Sequence, residues 1–449
     1  MSTAVWWVRR DMRLQDNGAL ASAAAQGEVV PLFVWEDNLL SGAGDFRRAF
    51  VFHALESLDD SVGRALVYRN GPAVDAVPEF CRLVGADTVH VTEDFAPWGR
   101  ARDAEVERVL AGQGVRLVRA DTPYAVRPGT VLKDDGTPLK VFTPFFKRWL
   151  NVPWSSVPDR PVRFADFRDL CVGSRRPTGW SVVSPQPAGE EHAWERFESW
   201  SARAMDAYKD ERNNPAVDGT SMMSPYLKFG IVHPRQLLSR LGASPGADHF
   251  RSEVAWREFY ADVLFHQPRT AWENLQPKMD AMEVDTDGAA RERFAVFCRG
   301  ETGYPIVDAG IRQMLSSGWM HNRVRMIVAS FLVKDLHLPW QWGARFFMEH
   351  LIDADIASNN HGWQWTAGTG TDAAPYFRVF NPVSQGQKFD PTGEYVRRWV
   401  RELEDVDAKH VHDPWTLGLL APPGYPAPMV DHGREREVAL LRYKKLGGQ

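Results

Sequence analysis

At 449 residues the chain is longer than one ordinary hydrophobic core, so two domains, or one domain plus a large helical half, are expected. A net charge of −5 argues against a general polyanion-coating protein while leaving room for a local basic face. No stretch reaches the roughly 18 apolar residues of a membrane span, the start MSTAVWWVRRD is too short an apolar run for a signal peptide, and Cys81, Cys171 and Cys298 lie apart without metal-ligand spacing.

These features predict a cytoplasmic protein without disulfides or structural zinc. The unusual count is 18 tryptophans, which suggests stacking or charge movement as well as packing.

From Val5, short β-branched runs (VWWV, VVPLFVW, ALVYRN, TVHVTEDF, VRLVRADT) alternate with helical stretches such as RARDAEVERVLAGQG. That alternation predicts βαβ units and a doubly wound parallel sheet complete by about Asp121. No GxGxxG follows the first strand, so a nucleotide cofactor is expected elsewhere in the chain. Prolines and weak periodicity between Thr122 and Gln186 predict an irregular connector. The fold class is therefore α/β plus all-α: an α/β domain over 1–128, a connector over 129–190 and a helical domain over 191–449.

In GTSMMSPYLKFG, Ser224 is the expected N-cap, with Pro225 at the first helical position. The hydroxyls of Thr220, Ser221 and Ser224 suit either plain capping or a diphosphate. The next helix, FRSEVAWREFYADVLFHQ, is apolar nearly all round and should be buried. Glu253, Trp256 and Arg257 share one face, as a pocket wall or as a buried Glu–Arg pair.

In HNRVRMIVASFLVKDL the apolar stripe is Val324, Ile327, Val328, Phe331 and Leu332, with Asn322, Arg325 and Met326 opposite. Asp353 and Asp355 in DADIASNNHGWQW are too close for one helical face and are expected at a helix end or turn, able to neutralise Arg325 or receive hydrogen bonds from a ligand. His350 and His361 lack metal-ligand spacing and are expected to be structural or exposed. With no nucleophile motif in the chain, redox chemistry through a cofactor leads.

The ordered set VWWVRRDMRLQDNGAL, GTSMMSPYLKFG, EVAWREFY, GYPIVDAGIRQM, GWMHNRVRMIVASFLVKDL, IDADIASNNHGWQW and TGTDAAPYFRVFNP resembles the cryptochrome/photolyase family over almost the whole chain, and within it the microbial class I cyclobutane pyrimidine dimer photolyases. The resemblance implies a C-terminal helical domain holding FAD, active when reduced. It implies Tyr208, Thr220, Ser221, Met223 and Ser224 at the diphosphate, and Arg257, Asn322, Arg325, Asp353, Asp355 and Asn359 around the flavin and its sugar. Asn359 would face flavin N5, Glu253 would hydrogen-bond the damaged bases with Asn322 assisting, and Trp256, Met326 and Trp365 would wall the flipped lesion. Arg212, Arg323 and Arg378 are the candidate phosphate or lesion contacts. The implied partner is DNA containing pyrimidine dimers, bound by a monomer.

Two departures stand out. Of the family's tryptophan relay, Trp363 and Trp340 match the inner members, but no Trp occurs between Trp272 and Trp319, so the outer end is expected at Trp342 or Tyr304. The segment EDFAPWGRARD has Trp98-Gly99 where folate-binding relatives carry Asn-Glu. The expected antenna is 8-hydroxy-5-deazaflavin near Trp35, Arg47 and Asp94, the alternatives being methenyltetrahydrofolate or none bound. A six-four photolyase would have histidines at the positions of Asn322 and Met326, and a light-sensing cryptochrome is the other competing reading.

Overall fold

The computed structural model describes residues 2–37, 41–154, 156–157, 160–171, 183–371 and 378–446. The β-branched runs form strands β1 (Ser2–Val8), β2 (Gly27–Trp35), β3 (Val67–Asn70), β4 (Ala86–Thr92) and β5 (Arg116–Asp121). All pair in parallel, in the order β3-β2-β1-β4-β5. Val5 of the central strand faces Val30 on one side and Val89 on the other, and all three are buried. Such two-sided burial is why these strands read as nearly continuous apolar runs.

Helices Gly18–Ala24, Asp45–Ser61, Ala73–Val84 and Pro97–Gly112 connect the strands. The strand order reverses between β1 and β4, which opens a crevice at their carboxyl ends, the usual ligand position in a doubly wound sheet.

Outside helix Phe142–Trp149, the described residues of the connector are mostly irregular, but they are tied down. Val29 N–H donates to the Arg163 carbonyl at 2.9 Å, and Ala165 N–H returns to Val29 at 3.0 Å. Glu258 accepts from the Ala125 and Val126 amides at 2.5 and 3.0 Å and from the Trp149 indole at 2.7 Å. Asp262 accepts from Gly129 N–H at 2.7 Å. Burial pushes both carboxyl groups above the usual range, which makes these bonds costly to leave unmade.

The chain divides into two compact units that interleave along the sequence. The first comprises Met1–Leu139, Thr143–Met205 and Ser221–Pro268, so helices Glu190–Ala204 and Pro245–His266 belong with the sheet. The second comprises Lys140–Phe142, Asp206–Thr220 and Arg269–Gln449. Its core is built by helices Pro305–Ser317, Asn322–Ser330, Trp340–His350 and Ile356–Ala367. The stripe of Val324, Ile327, Val328, Phe331 and Leu332 is buried in that core, as its spacing predicts. Among the described residues no helix is long and apolar enough to cross a membrane, and no cluster of metal-ligating side chains occurs.

Candidate functional site

In the second unit, committing one side of helix Asn322–Ser330 to the core decides what the other side can do. Asn322 is exposed, and Arg323, Arg325 and Met326 are half-buried, so this face is open to a ligand. His321 caps the helix: its Nδ1 accepts from Arg323 N–H at 3.2 Å, which leaves the ring proton on Nε2. Burial, reinforced by Arg325, Arg323 and Arg212, pushes its pKa down to about 3. A neutral imidazole is no general acid, and neither Asn322 nor Met326 supplies a proton.

The candidate phosphate or lesion contacts Arg212, Arg323 and Arg378 all belong to this second unit of an acidic protein. Arg212 lies over the Tyr208 ring at 5.6 Å. Arg323 is aimed by Asn213, whose Oδ1 accepts from Nε at 3.1 Å and Nη2 at 2.7 Å, and it lies 4.5 Å over Phe389. Arg378 is exposed.

Arg325 donates from Nη2 to Asp353 at 2.9 Å and from Nε to the Met320 carbonyl at 2.8 Å. Asp355 instead caps helix Ile356–Ala367, accepting from Ala357 and Ser358 N–H at 3.1 and 3.3 Å. The two carboxylates thus sit at a helix start, as expected, with one of them neutralising Arg325. On the same helix Asn359 donates from Nδ2 to the Ala344 carbonyl at 3.0 Å and to Asn360 Oδ1 at 2.7 Å. A main-chain carbonyl only accepts, so the amide orientation is fixed and Asn359 Oδ1 is the end left for a ligand. His361 is buried and its pKa falls to about 4, while His350 bonds the Phe346 carbonyl at 2.9 Å, so both are structural.

Trp363 is buried against Gly343, where a Cβ would stand 2.1 Å from the indole; only glycine permits this approach. Phe347 meets the Trp363 ring edge-on at 4.9 Å. Trp340 is buried and donates to Asn274 Oδ1 at 2.9 Å. Neither expected outer residue fits an exit to solvent well: Tyr304 is 3% exposed, and Trp342 is half-buried against Phe294 at 5.3 Å. The tryptophan that sequence reasoning passed over is Trp272, 40% exposed and two residues from the Asn274 that binds Trp340. Its carbonyl accepts from Gln341 at 3.2 Å, and its ring lies 5.3 Å under Arg345. Trp365 is half-buried.

In the first unit, Ser244 caps helix Pro245–His266 by accepting from Ala247 N–H at 3.2 Å. Glu253, Trp256 and Arg257 do share a face, but it is half-buried rather than sealed. The helix's deeply buried charges are Glu258 and Asp262, which hold the connector and had no signal in the spacing. Arg257 donates to the Pro123 and Leu227 carbonyls at 3.0 and 3.1 Å and lies over Tyr124 at 4.6 Å, so it is anchored to backbone.

The expected Ser224 cap is displaced. Ser224 opens helix Ser224–Lys228 as its first residue, and it is Ser221 Oγ that takes an amide, Met223 N–H at 3.3 Å. Met222 between them adopts φ 55°, a strained left-handed conformation, with its carbonyl held by Gln186 at 2.9 Å. Tyr208 and Thr220 belong to the second unit, and Ser221, Met223 and Ser224 to the first.

A second cluster occupies the β1/β4 crevice. Arg9 binds Asp103 and the Thr92 carbonyl, while Arg102 lies 2.7 Å from Asp103, 3.6 Å from Asp94 and 3.7 Å from Glu36. Trp7 lies beneath both arginines at 4.6 and 5.1 Å, and the exposed Trp98 lies 4.9 Å from Arg102. Burial raises the Asp94 pKa, but Arg10, Arg102 and Arg9 outweigh it and hold the group below the usual carboxylate range. Gly99 is required beside it, since a Cβ there would stand 2.2 Å from the Asp94 carboxyl group. Trp35 is buried against Phe33, and Arg47 donates to the Gly42 carbonyl at 2.7 Å.

Comparison with known proteins matches the chain over nearly its whole length. A family model described as the FAD binding domain of DNA photolyase covers residues 250–445, and one described as DNA photolyase covers residues 4–162. A deoxyribodipyrimidine photo-lyase of Vibrio cholerae is 37% identical over 98% of this chain and 99% of its own. A bacterial class III photolyase from Agrobacterium tumefaciens has a TM-score of 0.91 at 34% identity, covering 100% of this chain and 98% of its own. A cryptochrome from Synechocystis has a TM-score of 0.87 at 25% identity, covering 98% of each chain.

Proposed function

The chain belongs to the DNA photolyase family, and from that membership we propose how its residues divide the work of light-driven repair. The activity is the splitting of cyclobutane pyrimidine dimers in DNA, a carbon–carbon bond cleavage by a flavoprotein. FAD, when bound in its fully reduced form, would supply the photoexcited electron for this ring opening.

The observation that carries the residue-level reading is the Asn359 amide. Its NH2 is spent on Ala344 and Asn360, so it offers an acceptor, which fits the N–H that flavin N5 carries only when reduced. Arg325, neutralised by Asp353, is an oriented donor for the flavin ring edge. Asp355 and Asn322 meet the sugar and ring, and Arg257, oriented by its bond to the Pro123 carbonyl, is a further flavin contact. Tyr208, Thr220, Ser221, Met223 and Ser224 hold the diphosphate. Glu253 hydrogen-bonds the damaged bases and stabilises their radical anion, Asn322 assists, and Trp256, Met326 and Trp365 exclude water. Arg212, Arg323 and Arg378 hold the DNA backbone, so the lesion is presented flipped out of the stack.

Glu253→Ala tests this assignment. Repair yield per absorbed photon should fall while FAD content holds, and an unchanged yield overturns it.

The neutral, buried His321 and the absence of an acid at Asn322 or Met326 favour cyclobutane dimers over six-four lesions. Electrons for reducing an oxidised flavin enter from a soluble reductant at Trp272 and pass through Trp340 and Trp363. The β1/β4 cluster of Trp7, Trp98, Arg102 and Asp94 is suited to a second planar, anionic chromophore. We assign 8-hydroxy-5-deazaflavin there, with Trp35 and Arg47 on its flank, and a folate absorption band in the holoprotein would reverse that choice. The enzyme acts as a cytoplasmic monomer.

A further inference from the structure

Helix Asn322–Ser330 continues into a π-helical turn, Phe331–Asp335, closed by Leu336 N–H donating to the Phe331 carbonyl at 3.0 Å. Continued α-geometry would bring Asp335, four residues after Phe331 and three after Leu332, onto the apolar stripe. The extra residue puts Leu336 there instead, 1% exposed, and sets Lys334 and Asp335 against other partners. Turns of this kind recur at functional sites.

Lys334 is 4% exposed, and burial pulls its pKa down to about 7 against the opposing pull of Asp335. Asp335 is itself engaged with His432 of the C-terminal helix. A buried lysine is a poor choice for stability, since desolvating an ammonium is costly. What it grips is specific: Nζ donates to the main-chain carbonyl of Arg378. One turn earlier the buried Ser330 Oγ accepts from Phe380 N–H at 3.3 Å. Two side chains at i and i+4 thus hold a three-residue segment at both ends, one as donor and one as acceptor. The exposed side chain of that segment is Arg378, and the same helix presents Asn322, Arg323 and Met326 at its other end.

From this geometry we infer that Lys334, together with Ser330, is a positioning residue for DNA binding: it fixes the backbone of Arg378–Phe380 so that the Arg378 guanidinium meets the DNA backbone in register with the lesion-facing helix. This rests on the reading of Arg378 as a phosphate contact. Nothing in the sequence spacing couples position 334 to 378.

The test uses the FAD-loaded protein, an oligonucleotide with one cyclobutane thymine dimer, and the variants Lys334→Met, Lys334→Arg, Arg378→Ala and the Met/Ala double substitution. Lys334→Met removes the cost of a buried ammonium but leaves the Arg378 carbonyl unpaired, so it should keep its FAD with only a small change in melting temperature. Its Kd for the damaged DNA should rise about tenfold, the loss of one charge-assisted hydrogen bond, with repair yield per photon at saturating DNA unchanged. Lys334→Arg should recover most of the affinity, and the double variant should bind no worse than Arg378→Ala, since both act through one contact. Loss of affinity accompanied by a lower melting temperature and lost FAD would make Lys334 merely structural and overturn the inference. Additive effects in the double variant would overturn it too. If Arg378→Ala alone leaves affinity intact, the phosphate-contact reading fails; if Arg378→Ala weakens binding and Lys334→Met does not, only the positioning role fails.

Discussion

Asn359 Nδ2 lies 3.0 Å from the Ala344 carbonyl oxygen, and this one bond decides which end of the amide a flavin would meet. An acceptor aimed at N5 stabilises the reduced cofactor by roughly the 1–2 kcal/mol of a hydrogen bond to a polar group. Asn359→Ala should therefore retain FAD while its photoreduced form reoxidises in air several-fold faster than wild type. Equal reoxidation rates would remove Asn359 from this role.

The Arg325–Asp353 pair, 2.9 Å apart, makes a different kind of prediction. Asp353→Asn preserves shape but leaves the half-buried Arg325 without its counter-charge, at a cost of about 2 kcal/mol. The FAD-to-protein ratio after dialysis should drop well below that of wild type. Arg325→Ala combined with Asp353→Asn should fall less than the sum of the two single losses, and full additivity would mean that the pair does not act as a unit on the cofactor.

Electron entry at Trp272 separates cleanly from the alternatives. Trp363→Phe should abolish photoreduction of the oxidised flavin, Trp272→Phe should slow it at least several-fold, and Trp342→Phe and Tyr304→Phe should leave it near wild type. Repair by protein already reduced with dithionite should be unaffected by Trp272→Phe. Normal photoreduction in Trp272→Phe would contradict the route.

Acid stability should report His361. Burial lowers its folded pKa to about 4 from the usual 6.5, so the native state refuses a proton that the unfolded chain accepts. Its contribution is complete above pH 6.5 and is lost as pH falls toward 4, amounting to roughly 3 kcal/mol at about 1.4 kcal/mol per unit. The thermal midpoint should drop across that window, and His361→Phe should flatten the drop. An equally steep profile in the variant would assign the loss to other groups.

The sequence carried the parallel sheet because strands buried on both faces must be nearly continuous β-branched runs. It carried the core side of Asn322–Ser330 for a related reason: helical period alone fixes which residues share a stripe. Period does not say what covers the remaining surface. Hence the face of Glu253, expected to be buried, is half open, while Glu258 and Asp262 are the carboxylates sealed under the connector. Ser224 opens its helix as the first residue, after Met223 at the cap position, and the chain makes a left-handed turn at Met222, a non-glycine residue that gives no local signal for one. Contacts between distant segments, Lys334 with Arg378 or Trp340 with Asn274, leave no trace in spacing at all. Sequence alone offers Trp342 or Tyr304 as the outer end of the tryptophan relay, whereas exposure and the Asn274 bond to Trp340 single out Trp272.

The most direct measurement is restoration of thymines from a defined cyclobutane thymine dimer in an oligonucleotide by the purified, chemically reduced holoprotein, under blue light and in darkness. Stoichiometric, light-dependent restoration with no change in the dark is predicted, and it should be strongly reduced in Glu253→Ala. Dimer binding without light-dependent restoration by fully reduced, FAD-replete protein would contradict the account.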